Sequence, residues 1–173
     1  AGPRRLTGAV GGLYPGLGLL RWTPARLKGP DVLGLWLAHL AWCATGGEGE
    51  KRSALHAGDE SFLIAEALTA EAARERLAGY LGWYWEGLQH PLPVFPNASF
   101  AYARGSLEGR REPMKAARQR WEGNDFQEIP GDRDDAHVRL VLRGLAGDPL
   151  AEEAFTGWAL AFYGEALRAG GFA

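Results

Sequence analysis

The sequence has one cysteine, Cys43, in 173 residues. A single thiol cannot form an internal disulfide, and such sparing use fits a reducing compartment. No apolar stretch reaches the roughly 18 uncharged residues of a membrane-crossing helix. The first residues, Ala1-Gly2-Pro3, show no secretory pattern and no initiator Met, so the chain reads as cytoplasmic and as a piece excised from a longer polypeptide. Charge of one sign is also missing. Lys and Arg number 19 against 21 Asp and Glu, a net charge of -2. No global field therefore draws the chain to nucleic acid, and any DNA contact must come from a local patch or a larger assembly. Catalytic constellations are absent too: the four histidines are scattered, with no Ser/His/Asp, Cys/His or zinc-spaced set. Gly46-Gly47-Glu48-Gly49-Glu50-Lys51-Arg52-Ser53 suggests a phosphate loop, but Glu50 stands where such a loop needs Gly before its Lys. The glycines are better read as a helix stop.

What is present is material for one α/β domain with a real core: 46% hydrophobic residues, seven Trp and 25 Gly. Leu6 to Tyr14 and Leu19 to Thr23 read as strands joined by a Pro15–Gly18 turn. Gly8, Gly11 and Gly12 weaken the first of them. Asp31 to Ala44 is a helix with almost no polar face, so it belongs in the interior, with Asp31 capping it or lying in its first turn. His39 on that helix reads as a hydrogen-bonded core residue, and Cys43 as an inert buried thiol. A second hairpin places Ala54-Leu55-His56 against Phe62-Leu63-Ile64 around Gly58-Asp59-Glu60. Thr69 caps the next helix, with Glu71 in its first turn, and Pro91, Pro93 and Pro96 then force extended backbone. A short helix around Ser99 to Arg104, a firmer one from Arg110 to Trp121 with Pro113 in its first turn, and another from Asp135 to Arg143 follow. Asp148-Pro149 opens the last helix, with Phe155, Trp158, Phe162 and Leu167 on its core face.

Gly18 to Pro24, G-L-L-R-W-T-P, and Leu35 to Glu50, L-W-L-A-H-L-A-W-C-A-T-G-G-E-G-E, carry a family resemblance. So do the Y-x-x-G-x-x-x-P-L pattern from Tyr84 to Leu92 and W-E-G-N from Trp121 to Asn124. Together these resemble the C-terminal region of the RecC family, the gamma chain of exodeoxyribonuclease V. The resemblance is strongest over residues 6–50 and reaches only pattern level in the last helix. It implies a PD-(D/E)XK nuclease-like fold, a mixed sheet flanked by helices, at the end of a much longer subunit. Active members of that superfamily carry an Asp on one strand and an acid-x-Lys triplet on the next. Laid on this hairpin, those positions fall on Gly11, Arg21 and Thr23, and none matches. Two carboxylates are needed to hold Mg²⁺, and the Lys positions the attacking water. The resemblance thus implies a degenerate active site, with no catalytic residue, metal site or cofactor of its own. It also implies RecB-like and RecD-like partner subunits, with duplex or forked DNA bound through the complex. The fold it implies normally has one more strand before this hairpin, so an open sheet edge or apolar patch is expected near Leu6 to Leu13.

Two charged clusters remain. Arg111, Lys115 and Arg118 at i, i+4 and i+7 form one basic stripe on a helix, the best DNA-binding candidates in the chain. Asp125, Glu128, Asp132, Asp134 and Asp135 form an acidic loop that could neutralise the stripe; helix capping explains these acids more economically than metal binding. The sequence therefore points to a non-catalytic domain that scaffolds partner chains and guides or splits DNA in double-strand break repair. Two rivals stay open: a divergent metal-dependent nuclease built on acids such as Asp132 or Asp134, and a protein-interaction module unrelated to DNA.

Overall fold

A computed structural model describes residues 6–46, 51–66, 68–124, 126, 128–144, 147–151 and 153–173. Its centre is a β-α-β unit: β2 (Gly18–Trp22), a crossover helix α1 (Gly29–Ala44), and β3 (Ser53–His56), which lies parallel to β2 with Leu19 against Ser53 and Trp22 against His56. β1 (Leu13–Tyr14) pairs antiparallel with β2 on one side, and β4 (Ser61–Ile64) pairs antiparallel with β3 on the other. The sheet is therefore mixed, as expected from the sequence. A further strand, β7 (Gly170–Phe172), closes the order β1-β2-β3-β4-β7. The sequence reading did not find β7, because G-G-F carries no strand signal of its own. Ser61 and Ala173 extend its pairing by exchanging backbone hydrogen bonds of 2.9 and 3.0 Å.

The first strand is far shorter than the Leu6–Tyr14 expected. Gly12 sits at φ +83°, outside the β region, so pairing stops one residue before β1 even though the Gly12 carbonyl still accepts from Leu20 N at 2.8 Å. The predicted edge is seen among the described residues: β1 ends the sheet, and both Leu6 and Leu13 are exposed.

α1 begins two residues earlier than expected, with Gly29 and Pro30 in its first turn and Asp31 reaching back to Lys28 N at 3.1 Å. Its apolar sequence makes it the core's axis. Val32, Leu35, Trp36 and Leu40 are fully buried with Leu19, Leu55, Phe62 and Ile64 of the sheet. Gly29 is required by crowding, since a Cβ there would overlap the Pro96 carbonyl oxygen and the Phe100 side chain of the next layer. α2 (Ala70–Gly87) starts at Thr69, whose hydroxyl accepts from Ala72 N at 3.2 Å.

α3 (Pro96–Leu107) is longer than the short helix read from sequence, because Pro96 pre-sets its first turn and a distant carboxylate caps it. α4 (Pro113–Glu122) leads into a small ribbon of β5 (Gly123–Asn124) and β6 (Ile129–Pro130). A 3-10 turn (Asp132–Asp134) and α5 (Ala136–Val141) follow, the helix capped by Asp135 at His137 N and Val138 N as expected. α6 (Glu153–Ala169) starts beyond Pro149, because Asp148 makes a turn at Leu150 N instead of capping the helix directly. Its buried line is Phe155, Ala159, Tyr163 and Ala166, while Trp158 and Phe162 lean sideways onto Trp83 of α2. A second cluster of Phe95, Ala98, Ala117, Leu150, Phe155 and Ala159 packs at the far end of α3 and α6.

Candidate functional site

The hairpin and crossover place Arg21 on β2 and Thr23 just beyond its end, while Gly11 precedes β1. Arg21 lies on β2 in register with Leu55, on the face toward α1, where its guanidinium Nη1 would be 3.2 Å from a Cβ on Gly34. The β1–β2 register ends at Leu13–Leu19, so Gly11 lies outside the ladder that holds Arg21. Thr23 extends the β2–β3 ladder through Thr23 N to His56 O at 2.9 Å, and its hydroxyl accepts from Ala25 N at 3.3 Å. The end of β2 thus holds a permanent cation and a hydroxyl already used in a turn. Among the described residues no hydrogen bond or ion pair engages Arg21, and no group of three or more His, Cys, Asp or Glu is arranged to hold a metal ion.

Asp132, the acid named for a divergent nuclease, is spent on structure. It is buried and accepts from Asn97 N at 2.8 Å, Asn97 Nδ2 at 2.9 Å and Ala98 N at 2.7 Å, capping α3 from 34 and 35 residues away. Asp134 accepts from Gly131 N at 2.8 Å, closing its own turn. Asp125 of the acidic loop lies outside the described residues. Capping is what these placements perform.

The basic stripe needs correction. α4 starts at Pro113, so Arg111 precedes the helix and does not share a face with the other two. Lys115 is exposed and 3.7 Å from Glu112. Arg118 donates to Asp148 at 2.7 Å, and that guanidinium holds the Asp148 carboxyl below its usual range. Among the described residues, the acids that meet these cations are Glu112 and Asp148.

His39 is a core residue, as its sequence context implied. Its Nδ1 lies 2.8 Å from Ser53 Oγ and its Nε2 3.5 Å from Cys43 Sγ, while its ring stacks on Trp36. Burial lowers its pKa and raises that of Cys43. Lys51, in the would-be phosphate loop, donates to Gly46 O at 2.6 Å and Trp42 O at 3.4 Å, closing the C-terminus of α1. One network went unread in the sequence. Arg104 holds Glu60 bidentately at 2.7 and 2.9 Å, takes Glu108 at 2.8 Å, and lies 3.6 Å over the Phe172 ring. Only Glu108, one helical turn on, is local; Glu60 and Phe172 lie 44 and 68 residues from Arg104 in the chain.

The sequence matches the model of the RecC C-terminal domain over residues 1–107. The chain belongs to the RecC C-terminal domain family. Escherichia coli (strain K12) RecBCD enzyme subunit RecC is 32% identical over 144 residues, which is 77% of this chain and 12% of that subunit. The RecBCD enzyme subunit RecC of Buchnera aphidicola subsp. Schizaphis graminum is 26% identical over 74% of this chain and 13% of that protein. The chain therefore spans about an eighth of the length of these curated relatives. Within the RecC C-terminal domain family match lie the hairpin, α1, β3, β4, α2 and α3. The region carrying Lys115, Arg118 and the acidic loop lies beyond it.

Proposed function

We propose that this RecC C-terminal domain is non-catalytic. In this reading it is a PD-(D/E)XK nuclease-like fold with a vacated active site, part of a RecBCD-type helicase-nuclease. It holds RecB-like and RecD-like chains and helps to guide or split duplex or forked DNA during double-strand break repair. The hairpin, the crossover helix and the parallel strand beyond it support the nuclease-like reading. The observation that carries the loss of catalysis is Arg21 on β2, where an acid would have to bind the metal. A guanidinium keeps its charge at any accessible pH. At about 4 Å and an effective dielectric of ~20, it opposes a divalent ion by roughly 8 kcal/mol as an upper scale.

The divergent-nuclease alternative is disfavoured by the commitment of Asp132 to α3. DNA contact by this domain is proposed to rest on Arg111 and Lys115, with Arg118 secondary because Asp148 holds it. The deciding experiment incubates the purified domain with linear and single-stranded DNA in Mg²⁺ or Mn²⁺. No degradation is expected. Cleavage that disappears on changing Asp132 and Asp134 would establish the nuclease alternative instead.

A further inference from the structure

Three cations follow one another along the end of β2 and the connector into α1: Arg21, Arg26 and Lys28, with no acid between Leu19 and Pro30. Arg21 is half-buried beneath α1, yet among the described residues no hydrogen bond or ion pair engages it. Gly34 leaves the room it occupies, since a Cβ there would stand 3.2 Å from Nη1. A guanidinium partly withdrawn from water with no counter-charge costs stability, and an anion that meets it offsets that cost. Among the described residues no ion pair holds Arg26 or Lys28 either. Both are exposed while Leu27 between them is buried, so both cations are turned outward.

The connector is fixed in place. Gly58 N donates to Ala25 O at 2.9 Å, and Asp59 Oδ1 accepts from Leu27 N at 2.8 Å, which pins it to the β3–β4 turn. The acids of this region have other work: Asp59 makes that bond, Asp31 accepts from Lys28 N at 3.1 Å, and Glu60 is held by Arg104. The cations therefore stand uncompensated at the carboxyl end of β2, one of the parallel pair, and open α/β sheets meet their ligands at that end. A protein partner would need an apolar anchor at the centre of the contact. From Thr23 to Lys28 the exposed residues other than the cations are Pro24 and Ala25 alone, and Trp22 belongs to the other face of the sheet. The chemistry selects a polymer of phosphates.

We propose that Arg21, Arg26 and Lys28 form a second phosphate-binding site, which takes the sugar-phosphate backbone of a DNA strand across the end of β2. The proposal rests on the reading that this domain guides DNA, and it adds a contact separate from Arg111 and Lys115 on the α4 side. Arg21 holds one phosphodiester through the fork of its guanidinium, and Arg26 and Lys28 meet its neighbours. A guanidinium cannot give up its proton at accessible pH, so it binds the ester without taking a proton from water.

The test is a set of coupling cycles on the full polypeptide assembled with its partner subunits. Forked DNAs, each carrying one neutral methylphosphonate near the fork, are titrated against the unaltered complex and against three variants: Arg21→Met, Arg26→Ala with Lys28→Ala, and Arg111→Ala with Lys115→Ala. At one methylphosphonate position the unaltered complex is expected to lose about tenfold in affinity, while the Arg21→Met complex loses nothing further, the signature of a direct pair. The Arg26/Lys28 variant should couple to an adjacent position. Arg21→Met is expected to leave the thermal midpoint unchanged or higher; a lower midpoint with full DNA affinity would show a structural arginine and overturn the site. Additive losses at every position would overturn it too, as would loss of a subunit with unchanged DNA affinity, which would assign the cations to an acidic protein surface. Coupling at Arg111 and Lys115 without coupling at Arg21 would sink this site alone, whereas coupling at none of the five cations would sink the DNA-guiding reading with it.

Discussion

Asp132 is 5% exposed and receives three N–H groups, so its removal leaves buried donors at the start of α3 without a partner. Asp132→Ala is expected to cost about 2–4 kcal/mol, and Asp132→Asn less, because the amide oxygen still accepts. Urea unfolding of both variants measures the difference. Neither change should create or abolish a DNA-cleaving activity, which separates a structural carboxylate from a metal ligand. For the cations, Lys115 is 68% exposed at its side chain while Arg118 is bonded to Asp148. Replacing Arg111 and Lys115 together by Ala should weaken DNA binding without changing sequence preference, and should flatten the slope of log K against log salt by about 1–2. Arg118→Ala should change that slope less. Equal binding by the Arg111/Lys115 double variant of the assembled complex would reject these residues as phosphate contacts.

At the scale of elements, β7 is held by neighbours more than by its own sequence. It is a three-residue edge strand, and Arg104 of α3 ties it to the β3–β4 turn through Glu60 and the Phe172 ring. Burial alone would lower the Arg104 pKa, but its hydrogen bonds from the guanidinium to Glu60 and Glu108 raise it. A Lys at this position keeps the charge and loses both the planar fork and the stacking. Arg104→Lys is expected to cost about 1–2 kcal/mol and to speed amide exchange at Phe172 and Ala173 before that of β2 or β3. Unchanged exchange at those amides would show that strand pairing alone holds β7. Packing of α1 against α3 tolerates no added atom at Gly29, so Gly29→Ala should cost about 1–3 kcal/mol through overpacking.

For the whole molecule, α3 and α6 each contribute to both clusters: Phe100, Ala103, Tyr163 and Ala166 in one, Ala98, Phe155 and Ala159 in the other. Phe155→Ala empties a fully buried site and should cost about 3–5 kcal/mol. Since the two clusters share helices, circular dichroism and tryptophan fluorescence should still report one coincident transition. Acid should reveal the titrating groups in sequence. His39 is lowered by burial from its ordinary value of 6.5, so its contribution is present above pH 6.5 and declines as pH falls below it toward the folded-state value. Asp148 is lowered by Arg118; Glu108, which burial alone would raise, is lowered by its hydrogen bonds to Arg104 and Arg110. Their contributions, each below about 1 kcal/mol at such exposed positions, are present above their ordinary values of 3.8 and 4.5 and are lost as pH falls through the folded-state ones. Stability should be flat above about pH 6.5 with respect to these groups and decline in two phases below. His39→Gln should remove the first phase.

Local chemistry made much of this protein legible in its sequence. The apolar run of α1, the Thr69 and Asp135 caps, the β3–β4 hairpin and the core placement of His39 depend on residues close in the chain. The absence of acids and Lys at Gly11, Arg21 and Thr23 is likewise plain in the letters. Tertiary structure decided whatever depended on distant partners. Gly12's positive φ ended the first strand early, Asp132 found the start of α3, and Asp148 took Arg118 out of the basic stripe. The strand Gly170–Phe172 exists because β4 offered it an edge and Arg104 a clamp. Which face of each strand stays open is also a tertiary fact: the alternation of Leu19 and Arg21 with Leu20 and Trp22 defines two faces, but only the position of α1 determines which one is covered.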